Sequence, residues 1–261
     1  MAGLRVLACV KRVPAPGAQI TLTADQRAVD ARNLAFTTSP HEECAVEEAI
    51  RLVEQHGGDI TVLTVGPPAA EEQLRFSVSV GAQHAVLVTN DAIAGGDDPD
   101  PQSTARAITE TVRTLEADAG PFDVLLFGNE SADAGGFQVG VRVARALDRP
   151  MVNGIKAIDV TDGTLTARRE CDAGFEVYRL ALPAVVGVKE GINLPRYPTL
   201  PGRLRSKKAE VQTITATPAP GGLTMVRFET PVVEVTETAL LGTGADAAAA
   251  VVDLFYELGL A

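Results

Sequence analysis

The sequence predicts an α/β protein built on an open, mostly parallel sheet with an antiparallel extension and a C-terminal arm. Strand-like and helix-like segments alternate as far as Pro150, which is typical of parallel strands joined by right-handed crossovers. Aromatic residues make up only 4% of the 261 residues, so the core must be mainly aliphatic, as in sheets covered by helices. After Pro150, closely spaced strand-like runs indicate antiparallel pairing.

The first elements are a buried strand and a short hairpin. The strand is expected over residues 4–10, before Lys11 and Arg12, and Pro14 and Pro16 terminate it. Residues 20–23 and 28–30 have the pattern of two short strands joined by a turn.

The clearest helix start in the chain is Ser39-Pro40. Serine is a preferred capping residue, proline suits the first helical position, and Glu42 three residues after the cap completes a capping box. An apolar stripe at Val46, Ile50 and Val53 follows, and the Gly57-Gly58 pair ends the helix.

The remaining elements follow from the same patterns. Strands are expected over 60–65, 85–88 and 123–127, with helices over 70–80 and 103–117 and another from about 136. The antiparallel extension is expected to comprise residues 154–160, 164–169, 176–182 and 184–188. Residues 189–208 contain three prolines and are predicted to lack regular structure, and a last strand follows over 211–215. The main α/β domain would therefore span 1–215. The arm over 216–261 would hold a linker at 218–222, a strand-like run at 224–228 and a helix over 245–258, and would pack on a partner.

Composition excludes several classes of protein. A hydrophobic fraction of 46% excludes global disorder, and a net charge of −11 repels nucleic-acid backbones. The three cysteines are widely spaced without a CxxC motif, so we expect buried thiols in a reducing compartment and no disulfide or metal site. No run of 18 apolar residues and no signal-peptide pattern occurs, so we expect a cytoplasmic protein without membrane insertion.

Two glycine-rich segments could approach a nucleotide. The GxGxxA string at 242–247 has too few residues after it for the second strand of a dinucleotide-binding unit, so we reject that interpretation. The loop at 128–140 follows a strand and leads into a helix, a position where backbone amides bind phosphate. From composition alone, a ligand site and a solvated turn are equally supported there. Ser39 and His41 would form a second wall.

No Ser/His/Asp triad, metal cluster or paired-carboxylate site is recognisable, so we predict no catalytic residue and a binding or carrier role. The segment 189–208 mixes apolar side chains with five cations, Arg196, Arg203, Arg205, Lys207 and Lys208. One interpretation of this segment is a basic linker. The other is a docking loop with Ile192 as its apolar anchor, in which the cations suit an acidic partner.

Several stretches together resemble the β subunit of electron-transfer flavoproteins. They are the opening run from Leu4 to Val13, the helix segment from Ala45 to Leu52, and the most specific stretch, from Arg168 to Glu176 and on through Leu182 to Val186. The run from Ile192 to Tyr197 is similar to that family's recognition loop.

The resemblance implies the fold of adenine-nucleotide α-hydrolase-like proteins and a heterodimer with an α subunit that holds most of the FAD. It also implies a structural AMP in the β subunit. The heterodimer would receive electrons from flavin dehydrogenases, such as the acyl-CoA dehydrogenases of fatty acid oxidation, and pass them to a quinone-reducing acceptor. By position, the implied cofactor site comprises Cys9, Ser39, Pro40, His41, Glu42, Val65, Ser131, Asp133, Gly135, Gly136, Phe137, Gln138, Val139, Gly140 and Val141. The implied docking residues are Ile192, Asn193, Leu194, Pro195, Arg196 and Tyr197.

Two alternatives stay open at this point. One is an electron-bifurcating flavoprotein subunit with a second FAD in place of AMP. The other is a stand-alone adenine-nucleotide-binding module, which would not need the C-terminal arm.

Overall fold

A computed structural model describes residues 3–96, 98–217, 221–232 and 238–260. The chain forms two compact units, which divide between Val226 and Arg227. The first unit contains the predicted α/β fold with its large, mostly parallel sheet, and the antiparallel extension is confirmed.

Nine strands form the large sheet, and two short strands form a separate antiparallel pair. In chain order the strands are β1 Leu4–Cys9, β2 Arg12–Pro14, β3 Phe36–Thr38, β4 Gly58–Val65, β5 His84–Thr89, β6 Val124–Gly128, β7 Met151–Thr161, β8 Thr164–Cys171, β9 Gly174–Ala181, β10 Ala184–Val188 and β11 Val211–Thr215. The large sheet has the order β11-β5-β4-β1-β6-β10-β7-β8-β9, and β2 pairs with β3.

The α-helices of the described ranges connect and cover these strands. They are α1 Pro40–His56, α2 Glu71–Val80, α3 Asp91–Ala94, α4 Pro101–Ala119, α5 Val139–Ala146, α6 Leu200–Lys208 and α7 Ala248–Glu257. α7 belongs to the second unit and, with the short 3₁₀ turn before it, matches the helix predicted over 245–258.

The core consists of two layers, one on each face of the sheet. Successive strand residues point to opposite faces, so Val6 packs in the layer under α1 and α2, whereas Leu7 packs in the layer under α4 and α5. Because helices cover both faces, the central strands are buried along almost their whole length.

One strand of the predicted extension lies elsewhere. β10 runs parallel to β6 on one side and to β7 on the other, so residues 184–188 belong to the parallel part of the sheet. Within the large sheet, as far as the structure describes it, the antiparallel pairs are β7-β8 and β8-β9. The order of the strands along the chain does not predict the direction of β10, because β10 lies between β6 and β7, which both precede it in sequence.

The prediction that 189–208 lacks regular structure was wrong for its second half, where α6 forms. Pro201 lies in the first turn of α6, where an amide hydrogen is not needed, and the Thr199 hydroxyl caps the helix by accepting from the Gly202 amide at 3.2 Å. Pro195 and Pro198 precede the helix. The prolines therefore mark a helix start rather than excluding a helix.

Four smaller expectations also need correction. The capping box at α1 does not form, because the Ser39 hydroxyl lies 3.5 Å from the Glu130 carbonyl oxygen and makes no cap bond. The hairpin at 20–30 is reduced to a single bridge between Leu22 and Val29. Residues 224–228 form no strand. Cys171 is exposed, whereas Cys9 and Cys44 are buried as expected.

Part of the predicted linker, residues 218–220, lies outside the described residues. Among the helices that the structure describes, none is long and apolar enough to cross a membrane.

Candidate functional site

A cavity of about 420 Å³ opens at the carboxyl ends of β1, β4 and β6. The connections from β1 lead through α1 to β4 on one side, whereas β6 lies on the other side of β1 and is reached through α4. Such a reversal of strand order leaves a crevice between the two groups of helices, which is where open α/β sheets bind ligands.

The glycine-rich loop forms one wall of the cavity. Residues 136–141 line it, and they lead into the first turn of α5. The N-cap residue Gln138 makes no side-chain cap bond, so the first amides of α5 are not satisfied by their own cap. Gly135 and Phe137 adopt left-handed backbone conformations, with φ of 53° and 54°, that turn the loop toward the helix. The loop and the first turn of α5 therefore form this wall together.

Lys11 brings a positive charge to the cavity. Its Nζ lies 2.7 Å from the Asp133 carboxylate and 3.9 Å from that of Asp98. Burial alone would lower the pKa of Lys11, but the two carboxylates outweigh it and raise that pKa, so the amine stays charged. Among the cavity-lining residues that the structure describes, Lys11 is the one cation.

Glu42 is buried beside the cavity, in the first turn of α1. Its Oε2 accepts a hydrogen bond from the Lys11 amide at 2.7 Å. Gly128 makes room for it, since a Cβ at that position would lie 2.6 Å from Glu42 Cγ. Burial raises the pKa of Glu42 to about 8, and the bond from Lys11 offsets only part of that shift. The carboxyl is therefore largely protonated at neutral pH.

Replacing Glu42 by glutamine should remove a pH dependence of the unfolding free energy. Between the ordinary pKa of 4.5 and about 8, the unfolded chain releases the Glu42 proton while the folded chain keeps it, so wild-type stability falls as the pH rises across that window. Glutamine keeps an oxygen for the Lys11 amide and cannot ionise. We expect Glu42→Gln to be more stable than wild type above pH 8, on the order of 2–4 kcal/mol.

Urea unfolding at several pH values measures this effect. Glu72→Gln, at an exposed position, is the matched control and should follow the wild-type curve. A Glu42→Gln curve parallel to wild type from acid to alkaline pH would show that the Glu42 carboxyl is not desolvated in the folded state.

His41 connects two loops behind this wall. Its Nδ1 accepts a hydrogen bond from the Glu190 amide at 2.7 Å, and its Nε2 lies 3.4 Å from the Glu130 carboxylate. The loop after β6 and the segment after β10 are therefore both tied to the N-terminus of α1.

The structure brings most of the predicted cofactor residues to the cavity. Those that line it are Cys9, Glu42, Val65, Ser131, Gly136, Phe137, Gln138, Val139, Gly140 and Val141. Ser39, Pro40, His41, Asp133 and Gly135 are not part of the lining, although Asp133 and Ser39 contact residues of this region.

Sequence reasoning missed Lys11, Asp100 and residues 223–226, all of which line the cavity. Lys11 carried a usable signal, because it directly follows a buried strand at the edge where ligands bind. Residues 223–226 carried none, since their position depends on the tertiary path of the chain.

Two of the predicted docking residues 192–197, Asn193 and Arg196, tie this loop to α1. Ile192 packs against the core, whereas Leu194 is 84% exposed and Tyr197 90% exposed. The Asn193 amide donates to the Cys44 carbonyl oxygen at 3.0 Å and to Glu48 at 2.9 Å. The exposed apolar groups of this loop are therefore Leu194 and Tyr197.

Arg196 clamps the docking loop to α1 through two carboxylates. Its guanidinium contacts Glu47 at 2.9 Å and Glu54 at 2.6 Å. Burial would raise the pKa of Glu47, but the hydrogen bonds from Arg196 and Arg51 outweigh it and hold that pKa below its ordinary value. The pKa of Glu54 is lowered as well, chiefly by its hydrogen bond from Arg196. Both carboxylates are thus ionised at neutral pH, and the clamp is fully charged.

Cys9 lies in the lining of the cavity. Burial and the nearby Glu42 raise the pKa of the Cys9 thiol, which disfavours the nucleophilic thiolate. Within the described residues, no group of three or more His, Cys, Asp or Glu side chains is placed to hold a metal ion.

Known proteins with similar sequences match most of the chain. A family model described as "Electron transfer flavoprotein domain" matches residues 28–219. The chain is 35% identical over 176 residues to an electron transfer flavoprotein subunit beta of Bacillus subtilis, covering 67% of this chain and 66% of the relative. It is 34% identical over 229 residues to the subunit of the same name from Syntrophomonas wolfei, covering 87% and 86%. It is also 30% identical over 211 residues to the protein FixA of Sinorhizobium fredii, covering 80% and 73%.

Proposed function

The chain belongs to the electron transfer flavoprotein family, among its β subunits and FixA proteins, and on that premise we propose that it is the β subunit of a heterodimeric electron carrier. In this role it is not an enzyme with its own substrate. It holds a structural nucleotide, supports the α subunit that carries most of the FAD, and docks the proteins that donate electrons.

The observation that carries the nucleotide proposal is the cavity at the strand ends, with the first turn of α5 and Lys11 on its walls. Helix amides and one ammonium group together suit a phosphate. Apolar side chains, among them Leu63, Ile108 and Met151, line other parts of the cavity and suit a planar base.

The size of the cavity favours AMP over a second FAD. Its volume of about 420 Å³ lies near the lower end of the range for small-molecule sites, which is about 300–1,000 Å³. A mononucleotide therefore fits the cavity better than a dinucleotide does.

The docking proposal depends on the loop 192–197. Leu194 and Tyr197 present apolar surface, and the clamp through Arg196 fixes the backbone that carries them. A fixed loop loses little conformational entropy on association. We infer that it contacts flavin dehydrogenases, such as acyl-CoA dehydrogenases, and that the reduced carrier passes its electrons to a quinone-reducing acceptor.

The C-terminal arm, residues 216–261, is proposed to pack on the α subunit. α7 has no buried residue in its own unit, and its apolar side chains Val252, Phe255 and Tyr256 are exposed. A helix with this much apolar surface needs a partner.

Co-expression of this chain with its α subunit tests the proposal. We expect the two chains to purify together as a yellow heterodimer with the visible absorption of bound flavin, bleached by a reduced flavin dehydrogenase. A colourless monomer that acquires no flavin in the presence of the α subunit would contradict the proposal and favour a stand-alone nucleotide-binding module.

A further inference from the structure

Residues 221–226, here called the strap, run along the candidate nucleotide cavity. Leu223, Thr224, Met225 and Val226 all contribute to its lining. Leu223 is nevertheless 67% exposed and Val226 80% exposed, so the strap is not held in place by deep apolar packing. Its position must depend on specific polar contacts.

Asp100 supplies the main contact with the strap. Its Oδ2 accepts the Gly222 amide at 2.7 Å and the Leu223 amide at 2.9 Å. Its Oδ1 accepts the Ser103 amide at 2.8 Å and so caps α4. One carboxylate thus joins the start of α4, at the cavity, to the strap.

One further hydrogen bond and one close approach accompany the contact between Asp100 and the strap. Arg27 donates to the Met225 carbonyl oxygen at 3.2 Å. Gly221 approaches Asp100 so closely that a Cβ at that position would lie 2.3 Å from Asp100 Oδ1. The hydrogen bonds from Ser103, Leu223 and Gly222 outweigh burial and lower the pKa of Asp100, so the carboxylate is charged at neutral pH.

We propose that Asp100 is a positioning residue that latches the strap over the cavity and so retains the bound mononucleotide. The inference rests on the proposed function of that cavity. The strap closes the site after the ligand has entered, and its release sets the rate at which the ligand leaves. Asp100 itself carries no positive group and does not bind phosphate; it acts through the strap.

The two oxygens of Asp100 have separate roles, which makes a selective variant available. In Asp100→Asn, the remaining oxygen still caps α4, because asparagine is as good a capping residue as aspartate. The new amide group is a donor and cannot accept from Gly222 and Leu223. The variant therefore keeps the helix start and loses the latch.

Gly221→Ala disturbs the latch independently, by steric contact with Asp100. Asp118→Asn is the matched control. Asp118 is exposed at the other end of α4, so its substitution makes the same change of charge away from the strap.

The experiment measures exchange of labelled AMP from the full chain purified in complex with its α subunit, together with hydrogen exchange of the Gly222 and Leu223 amides. We expect Asp100→Asn and Gly221→Ala to release AMP about tenfold faster than wild type, equivalent to about 1.4 kcal/mol, and to lose protection at both amides. Asp118→Asn should match wild type in both measurements.

The outcomes separate this inference from the proposed function. Amide protection unchanged in Asp100→Asn, or AMP release at the wild-type rate despite lost protection, would overturn the latch. A wild-type complex that contains and binds no AMP would instead overturn the nucleotide site and with it the retention role, whatever the amides show.

Discussion

Lys11→Met should weaken AMP binding by about tenfold to a hundredfold, the largest effect that we expect from a single side chain of the cavity. A hydrogen bond to a charged group contributes about 1.5–3 kcal/mol, which corresponds to that range of affinity. The described lining contains Glu42, Asp98, Asp100 and Glu130 but no cation besides Lys11. Without the ammonium group, a phosphate would face carboxylates, among them that of Asp133, which would have lost its ion pair with Lys11.

Equilibrium titration with a fluorescent AMP analogue, at low and at moderate ionic strength, measures this loss. Lys207→Met is the matched control, because Lys207 lies in α6 and is not part of the cavity. Wild-type affinity in Lys11→Met would mean that the phosphate does not lie near β1.

Arg196→Ala should release the docking loop and impair electron transfer from dehydrogenases. The guanidinium joins the loop to Glu47, whose side chain is only 4% exposed, and to Glu54 on the next turns of α1. Arg196 is itself partly exposed, so we expect a loss of about 1–2 kcal/mol in the free energy of unfolding rather than the full value of a buried pair. The freed loop must then pay its ordering entropy on each encounter, and we expect about fivefold to tenfold weaker docking.

Arg51→Ala is the matched control that distinguishes an effect on docking from an effect on the free energy of unfolding. Arg51 also contacts Glu47, at 2.9 Å, but it lies on α1 itself and does not hold the loop. We expect Arg51→Ala to lower the free energy of unfolding by less than Arg196→Ala does. We also expect it to leave the apparent KM for the carrier unchanged in a dehydrogenase assay. Equal docking by all three proteins would show that the loop needs no clamp.

The contribution of the Arg196 clamp to the free energy of unfolding depends on pH. Arg196 holds the pKa of Glu47 and of Glu54 below the ordinary value of 4.5. Its stabilising effect is therefore complete above that value and is lost as the pH falls through the lowered folded-state pKa values. The stability difference between wild type and Arg196→Ala should shrink on acidification.

Local patterns predicted the parallel core well, for a physical reason. A strand buried on both faces must be a continuous aliphatic run, and the segments at β1, β4, β5 and β6 show such runs. The glycine-rich loop was also recognisable as a wall of the crevice, because small residues after a strand end let the backbone approach that edge of the sheet closely.

The features that sequence missed depend on long-range contacts. Glu42 was predicted to complete a capping box, but its carboxylate instead accepts from Lys11, which is distant in sequence. Arg196 was predicted as one of five cations of a linker or docking loop, and its contacts with α1 were not foreseen: three of its donor atoms contact carboxylates there. The strap depends on an aspartate more than a hundred residues away, which no local pattern reveals.

Counting the cofactors of the purified heterodimer shows whether the cavity of this chain holds a mononucleotide. The complex would be denatured and its released nucleotides separated and quantified. We expect one FAD and one AMP per heterodimer. Two FAD molecules without AMP would assign the cavity to a second flavin, and a heterodimer that holds no adenine nucleotide in this chain would overturn the proposed nucleotide site.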